Sequence, residues 1–181
     1  MMTDKRTLVA RWSKAARPLL VLAAFVLASA QAFAIDPLPE PTGPVILTVS
    51  GSVAVTNSGN GADFDREMFY ALGLVDLVTT TAWTDGPQTF RGVPLQVVLD
   101  RLGATGTTIV ATALNDFRTE IPFEEADKYN VLLAAYMNGE EMSVRDRGPL
   151  WIVYPREDFP EVQAPEYNDR WAWQLRTLEI E

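Results

Sequence analysis

Apolar positions along the chain recur with spacings that predict short strands interspersed with a few short helices. The run Val45-Ile46-Leu47-Thr48-Val49-Ser50-Gly51-Ser52-Val53 is rich in β-branched residues and predicts a first strand, followed by a loop at Asn57-Ser58-Gly59-Asn60-Gly61. A short helix is predicted next. Asp65 suits its N-cap, Phe64 and Phe69 have the spacing of a hydrophobic staple, and Gly73 falls just past its end. Residues 74–81 alternate loosely and predict a strand that leads into Thr79-Thr80-Thr81 and Trp83. The clearest helical stripe follows. Pro94 suits the first helical position, Leu95, Val98, Leu99 and Leu102 repeat at helical spacing, and Gly103 supplies the stop.

Residues 107–113 predict another strand, with a turn at Asn115-Asp116, an extended piece over 118–121 and a brief helix opened by Pro122-Phe123-Glu124-Glu125-Ala126. Residues 131–137 read as a strand, Asn138-Gly139 as a hairpin turn and 141–144 as the return strand. Residues 149–155 predict a buried strand bounded by prolines, and 175–180 a terminal strand, with a long loop over 156–170 between them. About eight strands and three helices in this order predict an α+β fold: a mixed, partly curled β-sheet with peripheral short helices.

The N-terminus follows a different pattern. Lys5, Arg6, Arg11, Lys14 and Arg17 precede an apolar run from Leu19 to Ala28, and Ala32-Phe33-Ala34 has the small-x-small form of a cleavage site. Residues 1–34 are therefore predicted to be a signal peptide, because the apolar run is about half of the roughly 20 residues a spanning helix needs. Its cleavage predicts a periplasmic or secreted protein without stable membrane insertion. Residues 35–44 hold prolines at 37, 39, 41 and 44 and predict an extended spacer, either holding the domain at a distance or lying along its surface. Residues 45–181 are predicted to be a single domain.

The formal charge of the chain is −9, and residues 1–34 carry five Lys/Arg and one Asp, a net of +4, so the remainder carries −13. Such a balance argues against nucleic acid as a partner. The chain has no cysteine and no histidine. This removes Ser-His-Asp triads, Cys-His pairs, histidine-rich zinc sites and disulfides. The carboxylate pairs Glu124-Glu125 and Glu157-Asp158 read as solvated acids in a chain this acidic. Trp83, Trp151, Trp171 and Trp173 are the pocket-lining candidates. Of these, Trp151 reads as core, whereas Trp83 and Trp171 stand beside polar turns and fit either core or cleft.

Several motifs, in order, resemble the sulfite-oxidase-type molybdopterin-binding oxidoreductase family. They are the helix introduced by Phe64-Asp65, the threonine-Trp83 region, Phe90-Arg91-Gly92-Val93-Pro94-Leu95, Ala113-Leu114-Asn115-Asp116-Phe117, Leu133-Ala134 with Asn138-Gly139, Gly148-Pro149-Leu150 through Pro155, and the closing stretch from Trp171 to Ile180. The resemblance implies the family's mixed α+β fold. It also implies a molybdenum-ligating cysteine ahead of the Phe90 motif, and that position falls here on Thr79 or Thr80. A neutral hydroxyl is a poor substitute for a soft thiolate. By this resemblance Thr79, Thr80, Trp83, Arg91 and Arg118 are the candidate pocket residues, with Arg145, Arg147 and Arg170 as further partners for an anion, and no metal ligand is assigned.

Cofactor-loaded members of the family travel folded through the twin-arginine route, and Lys5-Arg6-Thr7-Leu8-Val9 is a poor version of that signal. The expectation is an exported protein without cofactor, binding a small anionic or neutral ligand or another exported protein. The alternative is a molybdopterin-dependent periplasmic oxidoreductase, and a second alternative is a structural partner of a membrane complex. Whether the protein is an enzyme stays open at this point.

Overall fold

The β-branched run at the start of the domain forms β1 (Val45–Gly51), and in the computed structural model, which describes residues 36–181, the chain ends beside it. The terminal strand β10 (Leu175–Ile180) pairs with β1 in parallel, so the two ends of the domain lie in one sheet. The signal peptide expected over residues 1–34 lies outside the described residues.

Two five-stranded sheets carry the fold, which is mixed α+β as expected. The first has the order β2-β1-β10-β5-β6, built with β2 (Ala62–Asp65), β5 (Thr108–Ala113) and β6 (Arg118–Pro122). The second has the order β3-β4-β7-β8, with β9 also paired to β7. Its strands are β3 (Val75–Thr79), β4 (Gln88–Pro94), β7 (Leu132–Met137), β8 (Glu140–Glu141) and β9 (Trp151–Val153). The strands therefore divide between two sheets.

The helices pack where their stripes require. In α1 (Arg66–Ala71) the Asp65 carboxylate accepts from the Met68 N–H at 2.9 Å, and Phe64 and Phe69 are both fully buried, as the cap and staple spacing predicts. In α2 (Leu95–Leu102) the residues Leu95, Val98, Leu99 and Leu102 all face the core, and Gly103 closes the helix in the left-handed region at φ 57°. Pro94 stands one position earlier than expected, as the N-cap. The third helix, α3 (Glu125–Lys128), starts later than the sequence suggests because Pro122 still belongs to β6.

Three other differences have local causes. The stretch Gln88–Pro94, for which the sequence predicts no strand, pairs on both sides, with β3 and β7. Its glycine is needed by close approach. A Cβ on Gly92 would stand 2.0 Å from the Leu133 carbonyl oxygen, beside the register shift between Arg91 and Gly92. The return strand after Asn138-Gly139 is only Glu140–Glu141: Met142 still donates its N–H to the Ala135 carbonyl, but the chain then turns through Ser143 to Gly148. The loop over 156–170 contains two short 3₁₀ segments, Pro160–Gln163 and Pro165–Arg170.

The proline-rich segment lies along the folded surface in its described part. Leu38 joins the core, the Asn57 amide donates to the Pro39 carbonyl at 2.6 Å, and the Thr42 and Gly43 N–H groups donate to the Asp65 carboxylate at 2.8 and 2.9 Å.

Candidate functional site

Thr79 ends β3 and turns its side chain inward, where it is fully buried. Its hydroxyl donates to Oε2 of Glu157 at 2.6 Å and accepts from the Arg156 N–H at 3.0 Å, and the Thr80 N–H donates to Oε1 of the same carboxylate at 3.0 Å. A buried hydroxyl must find such partners, and here both come from the segment after β9. Burial raises the Glu157 pKa, but the hydrogen bonds from Thr79 and Thr80 outweigh it, and the carboxyl titrates below its ordinary range. Glu157, expected to be simply solvated, is thus the partner of both threonines. Nothing in its own neighbourhood signals this, because the pair is 78 residues apart in the chain.

Trp83 lies four residues on, in a different environment. Its ring stands perpendicular to Trp173 with centroids 5.4 Å apart, and is tilted at 56° to Trp171 with centroids 5.8 Å apart. Behind them Trp151 is fully buried, donates its indole N–H to the Trp171 carbonyl at 3.1 Å, and carries the Arg147 guanidinium over its face at 4.9 Å. Arg147 also donates to the Trp83 carbonyl at 3.2 Å. Trp151 is core, as expected, whereas Trp83, Trp171 and Trp173 line a cleft of about 240 Å³ together with Asn115, Phe117, Asn168, Asp169 and Ala172. Trp171 is 2% exposed, and its Nε1 is buried with no acceptor among the described residues.

One wall of this cleft is anchored from behind. Arg170 ion-pairs with Oε1 of Glu125, whose Oε2 accepts from the Tyr154 hydroxyl at 3.0 Å, and the Tyr129 and Tyr167 hydroxyls meet at 3.2 Å. Glu125 is 5% exposed, so it too departs from the solvated pair expected of Glu124-Glu125. Its charge is balanced by Arg170, the arrangement a buried carboxylate needs. Burial, with the Glu125 charge beside it, pushes the Tyr154 hydroxyl pKa well up, so it stays a proton donor to that carboxylate.

The predicted residues do not all meet. Thr79 and Thr80 close on Glu157, and Trp83 lines the cleft. Arg118 lines the adjoining depression with Phe117 and Asp169, and pairs with Glu179 at 3.8 Å. Arg91 faces a separate hollow with Leu74, Tyr136 and Gly139, and pairs with Asp76 at 3.8 Å. Arg170 is held by Glu125 and Arg147 by the Trp83 carbonyl.

This arrangement does not fit a thiolate-ligated molybdenum centre. Of the two positions on which the resemblance places the family's ligand, Thr79 has a hydroxyl that already has a donor and an acceptor, and the Thr80 N–H is held by the same Glu157 carboxylate. The chain has no cysteine or histidine, so it offers no thiolate or imidazole donor to replace that ligand. Among the described residues no three acidic side chains gather into a metal-holding group, and the arginines named above do not line one common pocket.

Comparison with known proteins agrees with the fold. Residues 48–157 match the family described as oxidoreductase molybdopterin binding domain. No curated protein sequence matches the chain. Among solved structures it is similar to the sulfane dehydrogenase SoxCD from Paracoccus pantotrophus, with 21% identity and a TM-score of 0.56 over 75% of this chain. The match spans 38% of that protein's chain, and at this identity the likeness is one of fold.

Proposed function

The chain belongs to the oxidoreductase molybdopterin-binding domain family, and we propose that it serves there as an exported, cofactor-free binding module whose tryptophan cleft holds a small ligand. The observation that carries this reading is that the resemblance places the family's soft ligand on Thr79 or Thr80, where the chain has only hydroxyls and the Thr79 hydroxyl is already engaged by Glu157 and the Arg156 N–H. What the fold offers instead is a concave aromatic surface. Its volume of about 240 Å³ lies below the roughly 300–1,000 Å³ of drug-sized sites, which suits a small molecule or a single headgroup. Among the described residues no helix is long and apolar enough to cross a membrane. Export rests on the basic, apolar and small-residue pattern of residues 1–34.

The test is to purify the protein from the compartment it occupies and measure molybdenum, together with pterin fluorescence after denaturation. The expected result is neither, with a small-molecule screen shifting tryptophan emission in the wild type and not in Trp173→Ala. Stoichiometric molybdenum or pterin would replace this reading with that of a molybdopterin-dependent oxidoreductase, the activity the family name supports.

A further inference from the structure

We propose that the ligand of the tryptophan cleft is a small organic cation bearing a quaternary ammonium group, a specification that rests on the binding-module reading above. Four aromatic side chains, Trp83, Trp171, Trp173 and Phe117, line the cleft, and Trp83 and Trp173 meet at an interplanar angle of 81°. Two ring planes at nearly a right angle form a corner in which a rounded cation touches more than one electron-rich surface. Each ring quadrupole attracts positive charge, tryptophan most strongly.

The charge of the lining has the complementary sign. Its single ionisable side chain is Asp169, and among the described residues no arginine or lysine forms an ion pair with it. The neighbouring cations are engaged elsewhere: Arg170 with buried Glu125, Arg118 with Glu179 at 3.8 Å in the adjoining depression, and Arg147 with the Trp83 carbonyl at 3.2 Å and the face of Trp151. An anion entering the cleft would meet a carboxylate and the negative faces of the rings. A quaternary ammonium needs no hydrogen-bond acceptor, and loses less on leaving water than a primary amine, so a mostly aromatic lining suits it. The formal charge of −13 carried by residues 35–181 adds a general attraction for cations.

The amides of Asn115 and Asn168 sit on the same lining and leave room for a short polar tail. Asn115 already accepts the Phe117 N–H at 3.1 Å through Oδ1, which leaves its NH₂ as a donor towards a hydroxyl or carboxylate on the ligand. A quaternary ammonium with a short polar arm can exist free or as a lipid headgroup.

The experiment titrates the full chain with choline, with its neutral isostere 3,3-dimethyl-1-butanol, and with phosphatidylcholine vesicles, following tryptophan emission and heat. Choline is expected to bind more tightly than the isostere by at least about threefold, the low end of a cation–π preference plus one carboxylate. Asp169→Asn, an exposed position, is expected to weaken choline by a similar factor and leave the isostere unchanged. Saturable binding to the vesicles but not to choline would assign the same chemistry to a lipid surface. Equal affinity for choline and the isostere overturns the proposal while leaving a small-ligand cleft in place, and so does choline binding that Asp169→Asn does not alter. Molybdenum or pterin in the purified protein would instead remove the reading beneath it.

Discussion

The hydroxyl of Thr79 and the carboxylate of Glu157 lie 2.6 Å apart although 78 residues separate them in the chain. Together with the Arg156 N–H on the same hydroxyl and the Thr80 N–H on the same carboxylate, the contact clasps the end of β3 to the segment that follows β9. Thr79→Val keeps the shape and removes the hydroxyl, leaving the Arg156 N–H without its acceptor. The expected loss is about 1–3 kcal/mol in denaturant unfolding, with Thr79→Ser close to wild type. Equal stability of the valine and serine variants would refute the role given to the hydroxyl.

The same contact makes stability depend on acidity. The Glu157 carboxyl titrates below the ordinary value of 4.5 because the threonine hydrogen bonds outweigh its partial burial. Its folded pKa lies below its unfolded one, so the stabilisation is complete above the unfolded value and is lost as pH falls through the folded one. Melting curves from pH 6 down to about pH 3 should therefore converge for wild type and Glu157→Gln, the wild type being the more stable at the upper end. Parallel curves would refute the assignment.

Gly92 is required by packing between strands. A Cβ there would lie 2.0 Å from the Leu133 carbonyl oxygen and 2.6 Å from the Ala134 Cα, both in the backbone of β7. Backbone cannot swing aside as a flexible side chain does. Gly92→Ala should force β4 and β7 apart and destabilise by more than the roughly 1–3 kcal/mol of ordinary overpacking. A loss below about 1 kcal/mol would contradict the close approach.

Leu99 is 1% exposed on the core face of α2. Leu99→Ala is expected to lose about 2–5 kcal/mol of unfolding free energy. A variant within about 1 kcal/mol of wild type would remove the helix from the core.

Two tryptophans that touch should respond differently to the same change. Trp151 donates its indole N–H to the Trp171 carbonyl at 3.1 Å, while the Trp171 Nε1 is buried without an acceptor. Phenylalanine removes comparable ring area in each case, but at 151 it breaks a hydrogen bond and at 171 it deletes an unanswered donor. Trp151→Phe should be the more destabilising by about 1 kcal/mol or more in thermal or denaturant melts. The reverse order would refute the hydrogen-bond assignment.

The sequence showed the local structure of this protein more clearly than its pairing. Helix α2 was legible because four leucines and valines repeat at helical spacing before Gly103, and α1 because Asp65, Phe64 and Phe69 form a local cap and staple. Strand β4 was not, since Gly92 and Pro94 are turn residues by local chemistry and are tolerated here only through contact with β7. The division into two sheets depends on long-range partners, above all the parallel pairing of β1 with β10, which no local pattern encodes. At the site, Trp83 and Trp171 could be singled out as large rings beside polar turns, but their meeting with Trp173 could not. Glu125 and Glu157 looked like ordinary surface acids because the groups that hold them, Arg170 and Thr79, are 45 and 78 residues away.

The anchoring of Arg170 in buried Glu125 bears on how the cleft could change over evolutionary time. Asn168, Asp169 and Trp171 flank an arginine tied to the interior, while Tyr167 is tied to Tyr129 on the same side. Such a rim behaves as masonry rather than as a hinged flap. A new preference can then arise by exchanging the side chains that face the opening, such as Asn115 or Asp169, with the frame behind them left in place.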